Sequence, residues 1–170
     1  MEKSGSAPTM QNRTMVERKS DRELVVTRTF EAPARILFEA WTRPDLFMRW
    51  WAPKSMGVPL LSCAMDVRPD GNYRLEFGED PSSAFAFFGK YIEVVPDRRL
   101  VWTNDESEQG AVTTVTFEEM GGKTLLTFHE LYPSKEALDE ALIGMDSTMP
   151  EQFEQLDALL VDLGAGVGEP

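Results

Sequence analysis

The chain has 170 residues, 42% of them apolar, which is enough for one domain with a sizeable core and cramped for two. Its 17 basic side chains against 29 acidic ones give a formal charge of -12, with no Lys/Arg run, which argues against a nucleic-acid or anionic-membrane partner. One cysteine, Cys63, and one histidine, His129, exclude an internal disulfide and a Cys/His metal centre within one chain. A reducing, cytoplasmic location is the plain expectation, and no cofactor is implied.

Residues 1–21 are polar and poor in aliphatics, without the apolar block of a signal peptide, and are expected to be a disordered leader. No run in the chain reaches the roughly 20 apolar residues of a membrane span. Leu24 to Phe30, with Val25, Val26, Thr27 and Thr29, reads as a first strand. Pro33 and Pro44 each suit the first turn of a short helix, carrying Ile36, Leu37, Ala40 and Trp41 in one case and Leu46, Phe47, Trp50 and Trp51 in the other.

Met56 to Glu130 reads as an antiparallel meander, because short β-favourable runs are separated by turn chemistry. Leu60 to Val67 ends at Pro69-Asp70-Gly71, and Tyr73, Leu75 and Phe77 then alternate with polar residues. Phe85 to Val95 is apolar on both parities, so it buries both faces or contains a bulge near Gly89. Leu100 to Thr103 carries Trp102, and Thr113, Val115 and Phe117 alternate with Thr114 and Thr116. Gly121-Gly122 makes a tight hairpin into a last strand where Thr124, Leu126 and Phe128 alternate with Leu125, Thr127 and His129. About seven strands result.

From Ser134 to Leu163 the apolar residues Leu138, Leu142, Met145, Met149, Phe153, Leu156, Leu160 and Leu163 keep one side of a helix greasy, opposite an acidic side. Such a stripe is stable only when covered, each side chain contributing roughly 1.5–3 kcal/mol on burial. Ser134 is the expected cap, and Gly144 a break in the first turns. Thr148-Met149-Pro150-Glu151 has capping-box spacing, so the helix is expected as two pieces or as one kinked at Pro150. The domain thus spans residues 22–164, followed by a flexible tail at 165–170. This order of elements is α+β: a curved antiparallel sheet wrapped around a long C-terminal helix, with two short helices after the first strand. A curved sheet and a straight helix do not mesh along their whole length, so a gap lined by aromatics and methionines is expected between them.

Several segments together, Phe30-Glu31-Ala32-Pro33 with Trp41, Arg49-Trp50-Trp51-Ala52-Pro53, Asp66-Val67-Arg68-Pro69-Asp70-Gly71 and Gly89-Lys90-Tyr91, carry a resemblance to a known family. Pro96-Asp97-Arg98-Arg99-Leu100-Val101, Gly121-Gly122-Lys123-Thr124 and Gln155-Leu156-Asp157 extend it. From about Arg22 to Leu163 the chain resembles the SRPBCC or START-like superfamily with its helix-grip fold, and within it bacterial domains similar to the C-terminal domain of the Hsp90 ATPase activator. The resemblance implies a cavity protein. Relatives bind lipids, sterols, polyketides or plant hormones, and a few are cyclases or hydrolases. It also implies a chaperone partner and a link to stress response, although the full activator has an additional N-terminal domain that residues 1–21 are too short to supply.

The ligand-contacting set expected on this basis is Trp50, Tyr73, Phe77, Phe87, Trp102, Met149 and Phe153. The tryptophans, with Trp41 and Trp51, are also explained as core, since large aromatics dominate core energetics. Glu93 and Glu130 stand in apolar strands; solvent-facing positions are the plainer account, but inside the gap either would be a polar anchor or a general acid or base. His129 alternates with Phe128 and is expected at the surface, and Cys63 is expected to be a small buried hydrophobe. No nucleophile motif surrounds either. The first expectation is therefore a module that binds a small apolar or aromatic molecule or a lipid. A cyclase- or hydrolase-type enzyme using the two carboxylates is the second, and a partner of a chaperone ATPase is the third. A homodimer through the sheet edge is left open.

Overall fold

Turn chemistry sets the strand order. Gly121 and Gly122 both have positive φ, 62° and 84°, and close a two-residue hairpin in which Met120 pairs with Lys123. A computed structural model describes residues 13–105, 108, 110–143 and 145–164. Among them, β1 (Met15–Arg18), β2 (Glu23–Phe30), β3 (Leu60–Met65), β4 (Asn72–Phe77), β5 (Phe85–Val95), β6 (Arg99–Thr103), β7 (Val112–Met120) and β8 (Lys123–Leu131) form one sheet. Its order is β1-β2-β8-β7-β6-β5-β4-β3, antiparallel throughout.

The eighth strand is a correction. Residues Met15–Arg18, expected in the leader, pair with Leu24–Thr27 and extend the sheet beyond β2. Residues 1–12, Gly144 and the tail at 165–170 lie outside the described residues.

Since β2 and β3 lie six strands apart, the segment between them has to cross about 29 Å of sheet. It does so as α1 (Ala34–Thr42) and the single turn α2 (Pro44–Phe47), with Pro44 in the first helical position. The Ala34 N–H, orphaned at the start of α1, donates to the Glu119 carboxylate of β7 at 2.9 Å. Trp41 and Trp50 end up wholly enclosed, and the Trp50 indole donates to the Ala40 carbonyl at 2.9 Å.

The C-terminal stripe forms two helices, α3 (Lys135–Leu142) and α4 (Met145–Asp162). Ser134 caps α3 as expected, its hydroxyl accepting from the Ala137 N–H at 3.0 Å. Thr148 does not stand at a helix start, because α4 already begins at Met145 and Pro150 sits inside it. Glu151, the other half of the supposed capping box, instead accepts from the Ser55 N–H and hydroxyl at 2.9 and 2.5 Å. Met149, Phe153, Leu156 and Leu160 are buried by the sheet and α1, whereas Leu163 at the far end is 39% exposed.

Candidate functional site

Strand parity decides which side chains face the helices. In register across five strands, Tyr91, Trp102, Thr113, Glu130 and Leu24 form one rung on the covered face, with Leu100, Val115, Phe128 and Val26 in the next. Under β2, β7 and β8 this face is filled by Phe30, Phe117, Leu126 and Phe153. Under β4 to β6 it is not filled, and a cavity of about 490 Å³ remains between the sheet, α1 and the first half of α4. Pockets for small molecules commonly occupy 300–1,000 Å³.

Of the residues expected to contact a ligand, Tyr73, Phe77, Trp102 and Met149 line this cavity, and Phe87 stands at its mouth, 39% exposed. Trp50 and Phe153 do not line it. Both are wholly buried in the neighbouring core, where Phe153 packs edge-on against Phe30 with ring centroids 5.7 Å apart. Their places are taken by Trp41 and Trp51, with Tyr91 below and Met56 and Val58 near the opening.

The two carboxylates part company. A register shift between Tyr91 and Glu93 places Glu93 opposite Val101, on the outer face, where it is half exposed and pairs with Arg99 at 3.0 Å. Glu93 is therefore no cavity anchor. Glu130, by contrast, is 8% exposed and lines the cavity, which overturns the solvent-facing account. One carboxylate oxygen accepts from the Thr113 hydroxyl at 2.8 Å and the other from the Tyr132 hydroxyl at 2.5 Å. Burial, then the charge of Glu130, pushes the Tyr132 hydroxyl up, so near neutral pH it remains a protonated donor.

The network runs on to Asn104, whose amide donates to Thr113 at 3.0 Å and to the Ala111 carbonyl at 2.6 Å. Tyr73 donates to the Thr103 carbonyl at 2.7 Å. Gly89 permits that carbonyl's approach, since a Cβ there would stand 2.1 Å from the Thr103 oxygen.

The remaining wall is held by α4 through side chains that the sequence did not single out for this role. Gln152 donates to the Trp51 carbonyl at 2.5 Å, and Gln155 donates to the Trp50 and Ala52 carbonyls at 2.9 and 3.0 Å. Gln155 also accepts from the Lys54 N–H at 2.9 Å. These bonds satisfy the backbone of an irregular loop and fix Trp51, Pro53 and Met56 against the opening.

His129 points away from the cavity and meets Glu23 at 3.0 Å. Cys63, on edge strand β3, is half-buried, and burial pushes its thiol up to about 11, which disfavours the reactive thiolate. Among the described residues no group of three or more His, Cys, Asp or Glu side chains is placed to hold a metal ion. None of the described helices is long and apolar enough to cross a membrane.

A curved antiparallel sheet closed over a C-terminal helix defines a helix-grip protein of the SRPBCC/START-like fold family. Within it, residues 31–161 match the family described as Activator of Hsp90 ATPase homolog 1-like protein, and the chain belongs to that family. No curated protein matches the sequence. A crystal structure of a Rhodobacter sphaeroides protein is similar, with 24% identity, 88% of this chain and 99% of that one covered, and a TM-score of 0.80. A Mycobacterium smegmatis protein shares 24% identity over 87% and 96% of the two chains, at a TM-score of 0.75. A Staphylococcus epidermidis protein solved by NMR shares 25% over 88% and 94%, at 0.71.

Proposed function

We propose that the protein binds a small, mostly apolar molecule between β4–β6 and the first half of α4. The observation that carries this reading is the 490 Å³ space, walled mainly by aromatic and aliphatic side chains, beside a core in which Phe30, Leu126 and Phe153 are almost wholly buried. Protein interiors are normally packed with few voids larger than a water molecule. A space of this size bordered by Trp102, Tyr73 and Met149 is suited to a guest, and methionine adapts to irregular shapes. A catalytic reading retains only one of its two carboxylates, since Glu93 is on the other side of the sheet.

Purification from the native host followed by native mass spectrometry tests the proposal, together with a thermal-shift panel of sterols, polycyclic phenols and terpenoids. A guest at a hundred times its dissociation constant stabilises by about 2.7 kcal/mol, which raises the melting temperature of a chain this size by about 5 °C or more. A bound mass or such a shift is the expected result. Bare protein together with an unresponsive panel would refute the reading.

A further inference from the structure

Most polar side chains of the cavity are arranged with one sense. Glu130 is the only acidic or basic side chain among the described residues of its lining, which include no lysine, arginine or histidine. Five hydrogen bonds from the surrounding groups run to Glu130 or back into the protein, and the hydroxyls of Tyr91 and Thr148 also border the space. Asn104 donates to Thr113, Thr113 and Tyr132 donate to Glu130, Tyr73 donates to Thr103, and Gln152 donates to the Trp51 carbonyl. The indole N–H of Trp41 has no hydrogen-bond partner but is fully enclosed by protein, so it does not face the open space. The other wall indoles are neutral donors and bring no positive charge to balance a guest anion.

Resting on the binding role proposed above, we infer that the cavity selects an apolar guest bearing a hydrogen-bond donor, an amine or a hydroxyl, directed at Glu130, and excludes carboxylates such as fatty acids. A guest carboxylate would share a largely apolar space with Glu130 and find no basic side chain among the described residues of the wall, on a protein whose formal charge is already -12. A donor guest meets a fixed acceptor, held in place by Thr113 from its own side of the sheet and by Tyr132. The rung Tyr91–Trp102–Thr113–Glu130 sets aromatic faces in line with that acceptor, so that the head of the guest is placed at β8 and its body over β5 and β6.

The test uses four molecules with one drug-sized tricyclic body: dehydroabietane, dehydroabietyl alcohol, dehydroabietylamine and dehydroabietic acid. Each is titrated below its aggregation limit into the full chain, followed by tryptophan fluorescence, which Trp41, Trp51 and Trp102 in the wall make sensitive to occupancy. The alcohol or the amine is expected to bind about tenfold or more tightly than the acid at neutral pH. Whichever of the two leads distinguishes a neutral donor from a cation. In E130Q, checked for cooperative melting, the gap to the acid is expected to close to within about threefold. An acid that binds as well as the alcohol and the amine overturns this inference and leaves the cavity role standing, whether or not E130Q folds. Failure of all four, the parent hydrocarbon included, overturns both.

Discussion

One helix, α4, borders two very different interiors. From its third turn onward Phe153, Leu156 and Leu160 are almost wholly enclosed, meeting Phe30 and the core beneath β2, β7 and β8. Along its first half Met149 faces open space above Tyr73 and Trp102. The apolar stripe is continuous in sequence, so hydrophobicity does not distinguish the two halves. What differs is the sheet opposite them, which α1 and large inward side chains fill at one end and leave unfilled at the other. A greasy helix face therefore shows where a helix is covered, and only the geometry of the cover shows whether anything else fits.

The comparison is broken most sharply by equal truncations in the two regions. Phe153→Ala, in the filled half, is expected to cost about 3–5 kcal/mol in denaturant unfolding, through lost burial and the cavity left behind. Arg28→Ala comes next. Arg28 is 4% exposed, lies 5.1 Å over the Phe30 ring and reaches Glu154 at 3.2 Å and Asp157 at 3.5 Å. Glu154 is itself mostly exposed, so the loss is expected to be only about 2 kcal/mol, read by the same unfolding curves. Phe77→Ala, on the wall of the unfilled half, should cost about 1–2 kcal/mol, because one side of the ring already lacks packing partners. Its larger effect is expected on ligand affinity. An outcome in which Phe77→Ala destabilises as much as Phe153→Ala would erase the distinction between the two halves.

The smallest effect concerns the surface of the closed end. The hydrogen bond from His129, then that from Ser20, holds the Glu23 carboxyl below its ordinary range. A carboxylate with a lowered folded pKa contributes stability above its unfolded pKa and loses it as pH falls through the folded value. Melting temperatures recorded from pH 7 down to 3 should therefore decline, and slightly less in H129Q than in the native chain. Identical profiles would remove Glu23 from the acid response.

Much of the fold could be read from period and punctuation. The alternation of Val115, Phe117, Leu126 and Phe128 fixed the inward faces of β7 and β8, and Gly121-Gly122 fixed their turn. The same parity also carries Glu130 and Tyr132 inward, since they lie two and four residues beyond Phe128; the acidic character of Glu130 argued for solvent, but Thr113 and Tyr132 offset its burial by donating to it. Glu93 shows the opposite case. By parity with Tyr91 it would face the cavity, yet the register shift between them turns it outward; the apolar run on both parities allowed a bulge near Gly89, and the shift falls just beyond it, where parity alone does not place it. Trp50 and Trp51 are adjacent, so the sequence could not tell which would be core and which wall. The clamp of Gln152 and Gln155 on the 50–54 loop depends on contacts about a hundred residues apart, which periodicity does not encode.

Whether α4 leaves usable room over β4–β6 is tested most directly by a crystal structure of the protein soaked with dehydroabietyl alcohol. Density for the tricyclic body over Trp102 and Tyr73, with its hydroxyl within hydrogen-bond distance of Glu130, is the result this account predicts. An empty soak in which Met149, Trp51 and Phe77 have closed over the space would contradict it.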